Sequence, residues 1–288
     1  MNRYDIDRTI LSSMNERAQM LEQKLSSSVV AYYGSIHPGF LKQYRDTIEA
    51  VAANSAYPER ICLLLKTMGG SAEAAESMAL ILRNHFSEVS FIVPDAAMSA
   101  GTILCMSGDR IYMDYSSALG PIDPQVVSPD RSGYVAAMGY LDKVDEIVAK
   151  TELSQAEIIF LRSIDLGRLA LYEQARSFSI DLLKEWLVQY KFKNWSHHRS
   201  TNIGNLVSVE EKDRRAEQIA IALADHKRWR SHARALNMTK LRKLGLEIDD
   251  MCDDPEMHDL VRSYNDPLSM YVERMNLPLF IHNHNLAR

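Results

Sequence analysis

Apolar residues recur along this chain with two different periods, and the alternation between them organises the reading. Ile6, Ile10, Met14, Ala18, Leu21 and Leu25 fall on one helical face between polar residues, so residues 6–26 are expected to form an amphipathic helix. Its polar face mixes both charges, so packing on its own domain or a sister subunit is favoured over a membrane surface. Val29–Ile36 then reads as a strand, and Pro38 opens a helix through about Ala53 with Leu41, Ile48 and Val51 inward. Ile61–Lys66 is a strand and Ser71–His85 a helix, with Glu73 and Glu76 where the helix dipole favours negative charge. Val89–Val93, a helix after Ser99, and the strand Arg110–Met113 continue the series. Strands alternating with helices predict a parallel sheet covered on both faces, with sites at the carboxyl ends of its strands.

Beyond Pro129 the pattern turns mostly helical. Ser154-Gln-Ala-Glu has the form of a capping box, Ser179–Tyr190 and Glu210–Lys227 read as helices, and Arg234–Leu244 reads as a helix closed by Gly245 before a short strand. The run Lys191-Phe-Lys-Asn-Trp-Ser-His-His-Arg199 is basic and interleaved with aromatics. So short a patch suits a solvated helix end or a subunit contact better than nucleic acid. His282 and His284 at the tail read as part of a frayed terminus. With no internal repeat or low-complexity linker, residues 1–288 read as one domain: a helix (1–27), a core (28–126) and a helical elaboration (127–288).

Composition narrows the classes without choosing among them. A hydrophobic share of 46% and a charged share of 25% are ordinary for a globular protein, and a net charge of -5 gives no reason to expect nucleic acid as a partner. Cys62, Cys105 and Cys252 are widely spaced, which suits free thiols of a reducing compartment and no metal set. No basic leader with an apolar core opens the chain, and no apolar run approaches the ~18 residues of a membrane span. The expectation is a soluble, cytoplasmic protein without metal or organic cofactor.

The chemistry concentrates in two strand-to-helix junctions. In Ser90–Ser107 a strand ends at Pro94 and small residues lead to Ser99, with Ala100 and Gly101 leaving space around it. Such a turn presents a hydroxyl and the first amides of a helix, although Ala97 stands where a G-x-S-x-G elbow has its first glycine. Ser99 could equally be no more than a helix cap. In Ile61–Glu76 the strand ends at Gly69-Gly70, a pair able to turn with its amides exposed as an anion site.

These two units, together with Gly120-Pro-Ile-Asp-Pro-Gln125, resemble the Clp-protease/crotonase superfamily over Val29–Gln125. Within it the chain most resembles the signal-peptide-peptidase-A-like, or serine dehydrogenase proteinase, branch. The resemblance implies an α/β fold with a ββα-spiral core, a mostly parallel sheet, and assembly as a homo-oligomer. It implies a serine endopeptidase acting on peptide or protein substrates, with Ser99 as nucleophile and the amides of Gly70, Gly69 and Ala100 as oxyanion hole. In the Clp subunit a His follows the Ser by about two dozen residues, and an Asp precedes the final helix. Here the first position holds Asp123 and the second His232, so the roles are exchanged, as the serine dehydrogenase proteinase branch implies. Signal peptide peptidases use a Ser–Lys dyad instead, for which Lys150 stands near the expected spacing and Lys143 is a second choice. A scaffold without catalysis and an acyl-coenzyme A binder are the alternatives to a protease.

Overall fold

The computed structural model describes residues 3–127, 134–198 and 203–286; Pro129 and Arg199, which figure in the sequence reading, lie outside the described residues. Helix α1 (Arg3–Leu25) leads into strand β1 (Ser28–Gly34). A 3-10 turn at Pro38–Phe40 opens α2 (Leu41–Asn54), followed by β2 (Arg60–Lys66), α3 (Ala72–His85) and β3 (Glu88–Val93). Next come β4 (Ala96–Ala97), α4 (Ala100–Met106), β5 (Arg110–Met113) and β6 (Ala118–Leu119). Two short strands, β7 (Gln125–Val127) and β8 (Tyr134–Ala136), precede α5 (Ala137–Val148), α6 (Gln155–Arg162) and α7 (Leu166–Trp186). The chain closes with α8 (Val209–Ala224), α9 (His226–Trp229), α10 (Met238–Lys243), β9 (Asp249–Asp250), α11 (Pro255–Met275) and β10 (Leu279–His282).

The fold is α/β with a mostly parallel central sheet of six strands in the order β10-β1-β2-β3-β5-β9. β1, β2, β3, β5 and β9 run parallel, and β10 pairs antiparallel with β1. The two-residue alternation of the strands sorts their side chains onto two cores. Val30, Tyr32, Leu63, Leu65, Phe91 and Val93 face a core shared with α2, α3, α4, α7 and α8. Val29, Ala31, Tyr33, Cys62, Leu64 and Ile92 face the other, where α1 and α11 supply Met14, Ala18, Leu21, Leu260, Val261 and Tyr264. Each such aliphatic side chain contributes about 1.5–3 kcal/mol on leaving water, so the helices bind the sheet chiefly by these stripes. The apolar face of α1 is therefore spent on this chain's own sheet and on α11. Among the described residues no helix is long and apolar enough to cross a membrane.

Three segments depart from the sequence reading. The stretch from Arg234 is not one helix: α10 starts only at Met238, capped by Asn237, because Leu236 pairs as an antiparallel bridge with Leu119. The tail is not frayed. β10 is buried, His282 lies between Tyr264 Oη (2.6 Å) and Asn15 Oδ1 (2.9 Å), and Asn283 donates to the carbonyl of Val29 (2.8 Å). Helix α11 carried its own signals, an Asp254 N-cap before Pro255 and an αL Asn276 at its end. The basic run is folded inward at its start, at Lys191 and Phe192, while Lys193, Asn194, Ser196 and His197 are exposed. Lys193 pairs with Asp109 at 2.5 Å, Trp195 packs between the rings of Phe192 and His198, and Lys191 is buried at the end of a π-helical turn, Leu187–Lys191.

Burial pushes the Lys191 amine down to about 8 from its ordinary 10.5. Between those two values the unfolded chain holds the extra proton, so stability rises as pH climbs through that window. Lys191→Met should unfold at higher urea than the parent at pH 7 and lose the gain in stability that the parent shows between pH 8 and 10. A lower midpoint at pH 7 in the variant would contradict the account.

Candidate active site

Beyond the ends of β2 and β3 the chain continues as a second, smaller ladder that places both junctions. Thr67 donates its N–H to the carbonyl of Ala96 (2.9 Å) and accepts from Met98 N–H (3.0 Å), while β4 pairs parallel with β6 on its other side. Thr102 on α4 ties the layers together, its hydroxyl lying 2.9 Å from the carbonyls of Ala97 and Gly120 and accepting from Gly120 N–H at 2.8 Å. Between these anchors Ser99 is held at φ 52°, ψ −115°, a region that residues with a side chain seldom occupy. It stands at the N-cap position of α4, yet its hydroxyl makes no capping hydrogen bond. The hydroxyl is therefore left to the cleft beside it.

The Gly69-Gly70 turn lies directly against this elbow. A methyl group on Gly69 (φ 104°) would sit 2.8 Å from Ser99 Cβ, so only glycine allows the approach. Hydrogen bonds on both sides of Gly70 strap the turn to β1's extension: Ile36 N–H donates to Gly69 O and Ser71 N–H to Ile36 O, each at 2.9 Å. The Gly69 N–H itself donates to Thr67 Oγ1 (3.0 Å). The N–H groups of Gly70 and Ala100 find no acceptor among the described residues.

The other wall of the cleft arrives from the second half of the chain. Leu119 and Leu236 exchange backbone hydrogen bonds (3.1 and 2.8 Å), and Ile122 N–H donates to Leu223 O (3.0 Å) at the end of α8. These contacts bring Asp123 and His232, far apart in sequence, to 3.0 Å between Oδ1 and Nδ1. Asp123 is buried, at 2% exposure, while the His232 side chain is partly open to the cleft. Ser99, Gly69, Gly70, Ala100, Asp123 and His232 all line one cleft of about 1010 Å³. Among the described residues no hydrogen bond joins the Ser99 hydroxyl to His232.

The two lysines weighed from sequence sit elsewhere. Lys143 pairs with Glu146 (3.1 Å) and Lys150 with Glu157 (2.5 Å) on the exposed surface, and neither lines the cleft. The hydrogen bond to Glu157 holds the Lys150 amine above its ordinary range, opposite to what a general base needs. The lysine that does line the cleft, among the described residues, is Lys66, which the sequence reading passed over; its amine is taken by Asp95 (2.8 Å) and Ser269 (3.0 Å). Ile103, Ile122, Phe178, Val272 and Leu277 give the cleft its apolar walls. Among the described residues no group of three or more His, Cys, Asp or Glu is arranged to hold a metal ion.

Comparison with known proteins fits this geometry. Two uncharacterized proteins of Methanocaldococcus jannaschii (strain ATCC 43067) are each 27% identical over 225 residues, 77% of this chain. The matches cover 64% and 65% of those proteins, so the chain spans just under two thirds of their length. Among solved structures, a membrane-bound stomatin-specific protease is similar at 15% identity and a TM-score of 0.47, over 80% of this chain and 81% of that one. A second structure of that protease, in complex with a substrate peptide, is similar at 17% identity and a TM-score of 0.46, over 77% and 73%. The model of one family, described as ClpP-like SDH-type serine proteinase, matches residues 43–203, more than half of the chain. The chain belongs to the ClpP-like SDH-type serine proteinases.

Proposed function

We propose that this chain is a serine endopeptidase whose nucleophile is Ser99, whose base is His232 and whose orienting carboxylate is Asp123. The observation that carries the reading is a buried Asp123 paired with a cleft-facing His232, in the same cleft as a strained serine whose hydroxyl caps nothing. A serine hydroxyl is a weak nucleophile at neutral pH and needs a positioned base. In the proposed reaction an extended peptide lies in the cleft, and Ser99 Oγ attacks the scissile carbonyl while its proton passes to His232 Nε2. Asp123 accepts the hydrogen bond from Nδ1–H, which leaves Nε2 free to take that proton and stabilises the imidazolium that forms. The N–H groups of Gly70 and Ala100 receive the developing oxyanion; a donor of this kind is worth ~10²–10³ in rate. His232 then returns the proton to the leaving amine, and water hydrolyses the acyl-enzyme by the same steps in reverse order. Gly69 serves by its shape, since its own N–H is occupied by Thr67.

A fluorophosphonate, which reacts with activated serines, tests the assignment directly. Labelling should map to Ser99, disappear in Ser99→Ala, and slow by at least ~10²-fold in His232→Ala, while Lys150→Ala labels as fast as the parent. Equal rates in the parent and in His232→Ala would remove the triad.

The strained backbone at Ser99 generates a second expectation. A residue with a Cβ in such a conformation costs about 1–3 kcal/mol, partly offset by the greater freedom of an unfolded glycine. Ser99→Gly should therefore be more stable to urea than Ser99→Ala by about 1 kcal/mol, although both lack the hydroxyl. Equal midpoints for the two would show that the elbow stores no strain.

A further inference from the structure

We infer that Gln125 is a positioning residue of the Asp123–His232 pair, an inference that rests on the serine-protease reading above. Asp123 has two carboxylate oxygens, and each has its own partner. Oδ1 lies 3.0 Å from His232 Nδ1, and Oδ2 accepts a hydrogen bond from Gln125 Nε2 at 3.1 Å. The carboxylate is 2% exposed, so bulk water does not compete for either oxygen. Rotation about the last bond of an Asp side chain is soft and roughly two-fold, so one hydrogen bond to the imidazole does not fix the carboxylate plane. The second bond does, and it comes from a residue whose backbone is anchored: Gln125 opens β7, paired with Ala136 of β8.

The amide is a pure donor at this position: Nε2–H gives its hydrogen bond to Oδ2 and brings no charge of its own. The other charged or titratable side chains lining the cleft, Tyr33, Lys66, Glu73 and His37, make no hydrogen bond or ion pair with Asp123 or His232 among the described residues, and the Tyr33 hydroxyl donates to Asn265 Oδ1. Lys66 is held by Asp95, Glu73 accepts from Ser71 Oγ, and His37 Nδ1 accepts from Gly39 N–H. The partner on Oδ2 of Asp123 is thus the neutral amide of Gln125. A glutamine whose amide is held by a buried carboxylate, in the wall of the substrate cleft, links the shape of that wall to the orientation of the base.

Two variants separate positioning from mere packing. Gln125→Leu keeps the bulk and removes the donor: kcat/KM on a peptide substrate should fall about tenfold, carried by kcat with KM within about twofold, the loss expected for one hydrogen bond to a charged group. Gln125→Glu places a second negative charge beside Asp123, which favours the imidazolium and should move the acid limb of the pH–rate profile up by about one pH unit. Wild-type rates and an unmoved limb in both folded variants would overturn the inference. A second measurement works without turnover. The ring resonance of His232, assigned by its loss in His232→Ala, is titrated by NMR in the parent and in Gln125→Glu. An upward shift of its midpoint supports Gln125 as the local determinant of the pair, and coincident curves overturn it. A parent that titrates normally but neither labels nor hydrolyses would instead sink the protease reading, so the two failures are distinguishable.

Discussion

The structure turns on how closely two strand-to-helix turns can approach. Gly69 and Ser99 meet at a distance that would put any added Cβ 2.8 Å from the serine's own, and Gly70 would place one 2.0 Å from the carbonyl of Ile36. Such contacts are possible only because the strands before them run parallel in register and carry their hydrogen bonding past the main sheet, through Ile36, Thr67, Ala96 and Met98. The amides and the hydroxyl of the site are therefore positioned by main-chain ladders, which do not change rotamer. Preorganised dipoles of this kind need little reorganisation when charge develops, which is the condition for strong electrostatic stabilisation.

The second half of the chain completes what the first begins. One core holds Leu63 and Phe91 of the sheet together with Leu183 of α7, Leu223 of α8 and Leu241 of α10. The segment from Leu119 to Asp123 runs between the halves, tied to Leu236 on one side and Leu223 on the other. The Asp123–His232 side therefore depends on how the helical half packs against the sheet.

Much of this was legible in the sequence because it rests on local pattern. Apolar runs ending in Gly69-Gly70 and in Pro94–Ser99 announce strands that hand over to helices, and the strands appear within a residue or so of where the pattern puts them, apart from Val29–Ile36, which closes at Gly34. What local pattern does not carry is long-range pairing. Nothing around Leu236 signals that it will bridge to Leu119 in place of joining α10, so the helix was expected to start at Arg234, four residues early. The proximity of Asp123 and His232 follows from that same pairing, and only resemblance to a family suggested the two positions. Polarity misled at the tail: a His-Asn-His sequence looks like a solvated end, yet Tyr264 and Asn15 hold His282, and Glu22 and Val29 hold Asn283, inside the fold.

That buried tail has a consequence for how the chain is made. Asn283 closes a contact with Val29 across 254 residues, and α1 packs on α11 from opposite ends of the sequence. During synthesis β1 emerges early and must wait for β10, the antiparallel neighbour that covers its outer edge, until the elements from α2 to α11 have left the ribosome. One face of the sheet is covered only by α1 over the same interval, because α11 arrives just before β10. A chain stalled before α11 and β10 would present an open strand edge beside a half-covered apolar surface, the combination that invites pairing with another chain.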